Sequence, residues 1–252
     1  MARTWILLRG LIREQRHWGE FPARMQDRFK GDRVVTLDLP GNGVNCHETS
    51  PDNIAGMVQA LRAQCQQQNI EAPYHLVALS LGGMIGVQWL SEHDDEVAFL
   101  ALINSSAKPF SSFWQRLRPS NYGRILRLLV TSPPAEYKEA SILDMTSACQ
   151  SPQQRQQLAA QWAEYARSHP VSRRNTLRQL QAATGFRAPP SLPSNVPVVI
   201  FQSLKDNLVH PKCSESLASH WHCPLISHPD TGHDLPLDDP QWLLDELAKR
   251  AP

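Results

Sequence analysis

The chain has 252 residues, enough for one large α/β domain with a substantial core, or for such a domain carrying an insertion. Apolar residues make up 41% and charged residues 19%, within the range of soluble globular proteins, and a net charge of +1 gives no overall ground for nucleic acid as a partner. Cys46, Cys65, Cys149, Cys213 and Cys223 are scattered, odd in number and never in a C-x-x-C pair, so neither a disulfide framework nor a zinc site is suggested. The N-terminal apolar run is short and interrupted by arginines, too brief for a signal peptide or a membrane span, and a cytoplasmic enzyme is expected.

Thr4 to Leu8, TWILL, reads as a strand buried on both faces and ends at Arg9-Gly10. His17-Trp18 and the residues after them read as a helix packed on the sheet. Arg33 to Leu39 is the next strand, stopped by the turn cluster Pro40-Gly41-Asn42-Gly43. Asn53 to Gln68 carries Ile54, Met57, Val58, Leu61 and Cys65 at helical spacing behind Pro51-Asp52. Tyr74 to Leu90 reads as a strand, a turn one residue wide at Ser80, and a helix. Val97 to Ile103 is another doubly buried strand. Strands separated by helices of this length imply a parallel sheet with helices on both faces.

From about Ala107 to Pro193 no strand-like run occurs. FSSFWQRL, NYGRILRLLV, PQQRQQLAAQWAEYARSH and SRRNTLRQLQAA show helical spacing, with Pro133-Pro134 breaking the middle. The expectation is a helical insertion, residues 107–193, between two parts of a core formed by residues 1–106 and 194–252. The sheet resumes at Val196 to Gln202. A helix follows near Lys212 to His222, then a short strand at Pro224 to Ser227 and a last helix from about Pro240.

A strand passing into a helix through a single residue lifts Ser80 above the carboxyl edge of the sheet. Read alone, Ala78-Leu79-Ser80-Leu81-Gly82 also fits the N-cap of any buried helix. Asp206 lies one loop beyond the Val196 to Gln202 strand, where catalytic groups collect in open α/β folds, though an Asx turn would explain it equally. His233 sits after Gly232, ahead of the last helix, in competition with nine other histidines, of which His228 is the nearest rival.

The conjunction decides. The order Ser80, Asp206, His233, with the apolar strand ending in Gly10 and the Asp38-Leu39-Pro40-Gly41 turn, resembles the α/β-hydrolase family over nearly the whole chain, and in particular its small capped serine esterases. The resemblance departs from the family pattern at Ala78, where glycine is usual and a slightly wider elbow is expected, and at Arg9, where histidine is usual. It implies a nucleophile Ser80, a base His233 oriented by Asp206, and an oxyanion held by the backbone N–H groups of Leu11 and Leu81. No metal and no organic cofactor is expected. Hydrolysis of a carboxylic ester through an acyl-enzyme is the leading reading. A thioesterase, an acyltransferase, a C–C bond hydrolase and a non-catalytic binding protein of the same fold are the alternatives.

Arg9 fits a structural role, packing along the elbow and bonding carbonyls. That is the favoured reading; the alternative is a place with Arg13 and Arg16 in recognising an anionic part of a substrate. The 107–193 segment holds twelve basic and four acidic residues, net +8, against −7 for the remainder. Either a solvated arginine-rich face or attraction of an anionic substrate, such as an acyl group on an acidic carrier like those served by pimeloyl-carrier-protein methyl ester esterases, would explain it. Apolar residues of the segment, among them Phe113, Trp114 and Trp162, pack against the core or line an acyl pocket.

Overall fold

The computed structural model describes residues 2–131, 133–148 and 150–252. Six strands form one parallel sheet: β1 (Thr4–Leu8), β2 (Arg33–Thr36), β3 (Tyr74–Leu79), β4 (Val97–Ile103), β5 (Val198–Ser203) and β6 (Leu225–His228), in the order β2-β1-β3-β4-β5-β6. The order reverses between β1 and β3, and the crevice at the carboxyl ends of such neighbouring strands is where open α/β sheets place their ligands. Every residue of β3 and β5 is buried, which is why these strands are unbroken apolar runs rather than alternating ones.

Two apolar layers cover the sheet. One joins Ile6, Leu76, Leu100 and Ile200 to Met57, Leu61 and Trp89, while the other joins Trp5, Val77, Phe99 and Phe201 to Phe21, Leu243 and Leu247. The alternation of adjacent strand residues between the layers follows from the two-residue period of a strand. Helices α1 (Phe21–Arg28), α2 (Ile54–Gln67) and α3 (Leu81–Glu92) supply the covering side chains of the first half. Asn53 caps α2, its side chain accepting from the Gly56 N–H at 2.8 Å.

Between β4 and β5 the described backbone is helical: α4 (Phe113–Arg116), α5 (Tyr122–Thr131), α6 (Ala135–Thr146), α7 (Pro152–Ser168) and α8 (Arg173–Gly185). α6 is not evident in the sequence, since its buried positions include Glu139 and Ser141 and so break the apolar stripe. The segment has a small apolar cluster of its own, Leu143, Ala159 and Trp162, whereas Ala182, Phe186 and Ala188 join the main core. Phe113 and Trp114 are exposed. After β5 come α9 (Lys212–Trp221), a one-turn α10 (Leu235–Asp238) and α11 (Pro240–Arg250). No described helix is long and apolar enough to cross a membrane.

Two elements are shorter than the sequence suggests. The expected helix from His17 is a 3-10 turn, Gln15–Trp18, followed by α1, because Gly19 takes a positive φ between them. The strand expected to run to Leu39 stops at Thr36. Asp38 there turns inward, accepting from the Gln15 N–H at 2.7 Å and the Val44 N–H at 3.2 Å. Burial pushes its carboxyl up to about 6, with the nearby Glu14 charge adding to the rise. A carboxyl raised in the folded state stabilises fully below about pH 4 and loses that contribution as pH climbs through 6. The stability of the wild type relative to Asp38→Asn is therefore expected to fall by about 2–3 kcal/mol between pH 4 and 7. Urea unfolding at the two pH values checks it, and parallel curves for both proteins would contradict it.

Candidate active site

Ser80 stands between β3 and α3 with φ 59° and ψ −113°, a conformation costly for any side-chain-bearing residue. Close packing of backbones permits the turn. A Cβ on Gly82 would collide with the Leu8 and Arg9 carbonyls, so only glycine lets α3 start against the end of β1. The methyl of Ala78 finds its room at Gly86, where an added Cβ would lie 3.3 Å from it and 2.7 Å from Leu100 Cδ1.

Asp206 and His233 are brought together directly. His233 Nδ1 lies 2.7 Å from Asp206 Oδ2, and both residues are buried. The other carboxylate oxygen of Asp206 accepts the N–H groups of Leu208 and Val209 at 2.8 and 2.9 Å. An ionised carboxylate only accepts, so the proton sits on Nδ1 and the lone pair of Nε2 is left for another proton. His228 is occupied otherwise: its Nδ1 accepts from the Asp230 and Thr231 N–H groups, and its Nε2 faces Asp239 at 3.2 Å.

Ser80 reaches the same place through the backbone. Its N–H donates to the Ile103 carbonyl at 2.9 Å and its carbonyl accepts the Ser105 hydroxyl at 2.9 Å. Asn104, between those two residues, donates from Nδ2 to the His233 carbonyl at 2.8 Å and to Ser203 Oγ at 2.9 Å. The last residue of β4 and the two that follow it thus grip both the serine elbow and the histidine loop at one edge of the sheet. Among the described residues no hydrogen bond joins Ser80 Oγ to His233. Asn104 has φ 46°, a left-handed conformation that asparagine tolerates, and nothing in its local sequence beyond its place at a strand end announces this role.

The histidine loop is fixed from two further sides. The Gly232 N–H donates to Asp238 Oδ2 at 2.7 Å, and the Asp234 N–H donates to the Thr146 carbonyl at the end of α6 at 2.7 Å. Gly10, the residue before Leu11, lies against the elbow, since an added Cβ there would stand 3.4 Å from Ser80 Cβ. Leu81 is the first residue of α3, where backbone N–H groups have no intrahelical acceptor and carry the positive end of the helix dipole.

The three arginines are placed on internal carboxylates. Arg9 forms a bidentate pair with Asp234 at 2.9 and 2.7 Å and lies over the Trp18 ring, bonding a carboxylate rather than the expected carbonyls. Arg13 Nη1 donates to Glu139 Oε2 at 2.6 Å over the Trp162 ring, and Arg16 Nε to Glu14 Oε1 at 2.7 Å. Their charges are thus met within the chain. His17, buried beside Arg13, has its pKa driven well below the usual imidazole range, by desolvation first and by Arg13 next.

Among the described residues no group of three or more His, Cys, Asp or Glu side chains could hold a metal ion. Surface cavities of about 580 and 420 Å³ lie elsewhere, beside Arg3 and Phe29 and beside Phe110 and His220.

The chain matches the model of the Alpha/beta hydrolase family over residues 5–246 and belongs to that family of hydrolases. Two similar proteins carry the name "Putative carbamate hydrolase RutD". The one from Yersinia enterocolitica is 35% identical over 105 residues, 41% of this chain and 36% of its own length. That from Variovorax paradoxus is 27% identical over 194 residues, 75% of this chain and 69% of its own. The enol-lactonase from Burkholderia xenovorans LB400 superposes with a TM-score of 0.79 at 15% identity, covering 99% of this chain and 91% of that one, a likeness of fold.

Proposed function

We propose that the protein is a serine hydrolase that cleaves a carboxylic ester through an acyl-enzyme. The observation that carries this reading is the Asp206–His233 hydrogen bond held by the same segment that grips the strained Ser80. Ser80 Oγ attacks the acyl carbonyl while His233 Nε2 takes its proton, and Asp206 stabilises the imidazolium that results. The carbonyl oxygen becomes an oxyanion bound by the Leu11 and Leu81 N–H groups, each worth about 3 kcal/mol of barrier. His233 returns the proton to the departing alkoxide. Water, deprotonated by the same imidazole, then releases the acid and restores the serine.

Residues 107–193 act in this reading as a cap over a core of residues 1–106 and 194–252. Their contacts with the Asp206 and His233 loops support it: Arg118 donates to the Asp206 carbonyl at 2.7 Å, and Thr146 accepts from Asp234. The basic excess of the cap favours an anionic ester or an acyl group on an acidic carrier. Arg9, Arg13 and Arg16 are assigned to joining loops and cap rather than to the substrate, because each already has a carboxylate. Cys46, Cys65, Cys213 and Cys223 are free thiols, which supports a cytoplasmic setting, while Cys149 lies outside the described residues.

Initial rates on p-nitrophenyl esters of graded chain length, matched thioesters and carbamates test the reading. The carbamates enter because of the name that the RutD relatives carry. Preferred turnover of esters is expected, with water outcompeting an added alcohol for the acyl-enzyme. A folded sample that turns over none of the esters would refute it. Turnover of an anionic ester is further expected to fall about tenfold between 50 and 500 mM salt, with a neutral ester of equal length nearly unaffected. Equal salt dependence of both would remove the role of the basic cap.

A further inference from the structure

Ile12, one residue beyond the proposed oxyanion donor Leu11, has φ 52°. A β-branched residue rarely enters the left-handed region, and it stays there only where its surroundings dictate it. The surroundings here come from α8. Gln179 is fully buried, and its Oε1 accepts the Ile12 N–H at 2.9 Å. Its Nε2 donates to Asn42 Oδ1 at 2.7 Å and to Ser50 Oγ at 3.0 Å. Asn42 in turn donates from Nδ2 to the Arg13 carbonyl at 2.8 Å, and Ser50 Oγ donates to the Pro40 carbonyl at 2.6 Å.

The network has a single orientation. The Ile12 N–H can only donate, so it demands the oxygen of the Gln179 amide, and the Asn42 Oδ1 left over by its own donation to Arg13 demands the nitrogen. Residues 10 to 13 close into a turn, with the Arg13 N–H on the Gly10 carbonyl at 3.3 Å, and Gln179 and Asn42 hold that turn from outside at Ile12 and Arg13.

We propose that Gln179 is a positioning residue: from the helical segment it holds the Ile12 N–H and with it the closed turn of residues 10 to 13, and so keeps the adjoining Gly10–Leu11 peptide, which carries the Leu11 N–H, aimed at the oxyanion. This rests on the assignment of Ser80 and Leu11 above. Without the Gln179 acceptor the Ile12 N–H loses its partner, Ile12 relaxes toward negative φ, and the turn of residues 10 to 13 opens, carrying the Gly10–Leu11 peptide and its N–H off target. The oxyanion forms only on the way to the transition state, so the loss falls on kcat and spares KM.

The test compares Gln179→Met, close in volume and without the amide, with the wild type on a p-nitrophenyl ester. Turnover is expected to slow by about 10- to 100-fold, with KM changed less than twofold and the binding of an alkylboronic acid, a tetrahedral mimic, weakened by a similar factor. In an Ile12→Gly background, where glycine adopts the left-handed form freely, the loss from Gln179→Met is expected to be at least about fivefold smaller. Turnover within threefold of wild type, or equal losses in both backgrounds, would overturn the proposal. Should Gln179→Met not fold, Asn42→Ala, which frees the Arg13 carbonyl and one Gln179 donor, gives the same comparison of kcat with KM. A wild type that neither hydrolyses the ester nor is labelled at Ser80 by a fluorophosphonate would instead mark failure of the underlying assignment.

Discussion

Ser80→Ala is expected to lower kcat on the best ester by about 10⁵-fold or more, with KM and the thermal midpoint close to wild type. In the proposed mechanism the size follows from the loss of covalent catalysis: without the hydroxyl the His233–Asp206 pair would have no nucleophile to activate, and only binding and the proposed oxyanion donors would remain. Folding should not suffer, since the turn is held by the Ser80 backbone, through the Ile103 carbonyl and the Ser105 hydroxyl, not by its Oγ. Asp206→Asn is expected to cost about 10⁴-fold in kcat, because an amide offers His233 Nδ1 a donor where it needs an acceptor and so favours the wrong tautomer. Steady-state kinetics with circular dichroism on each variant measures both. Residual activity of Ser80→Ala within tenfold of wild type would place the chemistry elsewhere.

The largest effect on stability is expected at Arg9. Its guanidinium and the Asp234 carboxylate are both buried and doubly hydrogen-bonded. Arg9→Met leaves the carboxylate buried and unpaired, and breaking such a pair on one side costs about 3–5 kcal/mol. For a chain of this size that lowers the thermal midpoint by about 10 °C. Arg9→Met combined with Asp234→Leu is expected to regain most of the loss, since two apolar groups need no counter-charge. Differential scanning fluorimetry of the two variants decides it, and a single variant as stable as the wild type would show that the pair contributes little. Asp234 adjoins His233, so the single variant is also expected to slow catalysis through the histidine loop.

Much of this architecture can be read from local patterns. TWILL, VAFLALI and VVIFQ are apolar without alternation because both faces of those strands are covered, and that gives the parallel sheet and its order of helices. The elbow at Ser80 and the loop of Asp206 are legible because each stands at the end of such a run, and that of His233 because it follows Gly232 after the last, short strand. The end of β2 is not, because the Asp38 side chain, rather than a turn residue, draws the backbone out of the sheet. α6 is obscured because its buried Glu139 is explained only by Arg13.

The residues that support the site are the least legible. Asn104 meets His233 across 129 positions, Gln179 meets Ile12 across 167, and Arg9 meets Asp234 across 225. Their side chains are chosen by partners that only the fold brings near. The sequence alone therefore names the groups that would perform the chemistry more readily than those that hold them in place.

The most direct test of the account is the reaction of the folded protein with a fluorophosphonate, followed by peptide mapping. One equivalent of phosphonate on the peptide that contains Ser80, lost in Ser80→Ala and slowed at least a hundredfold in His233→Ala, is the predicted result. Labelling at another residue, or none in a sample that is folded by circular dichroism, would contradict it.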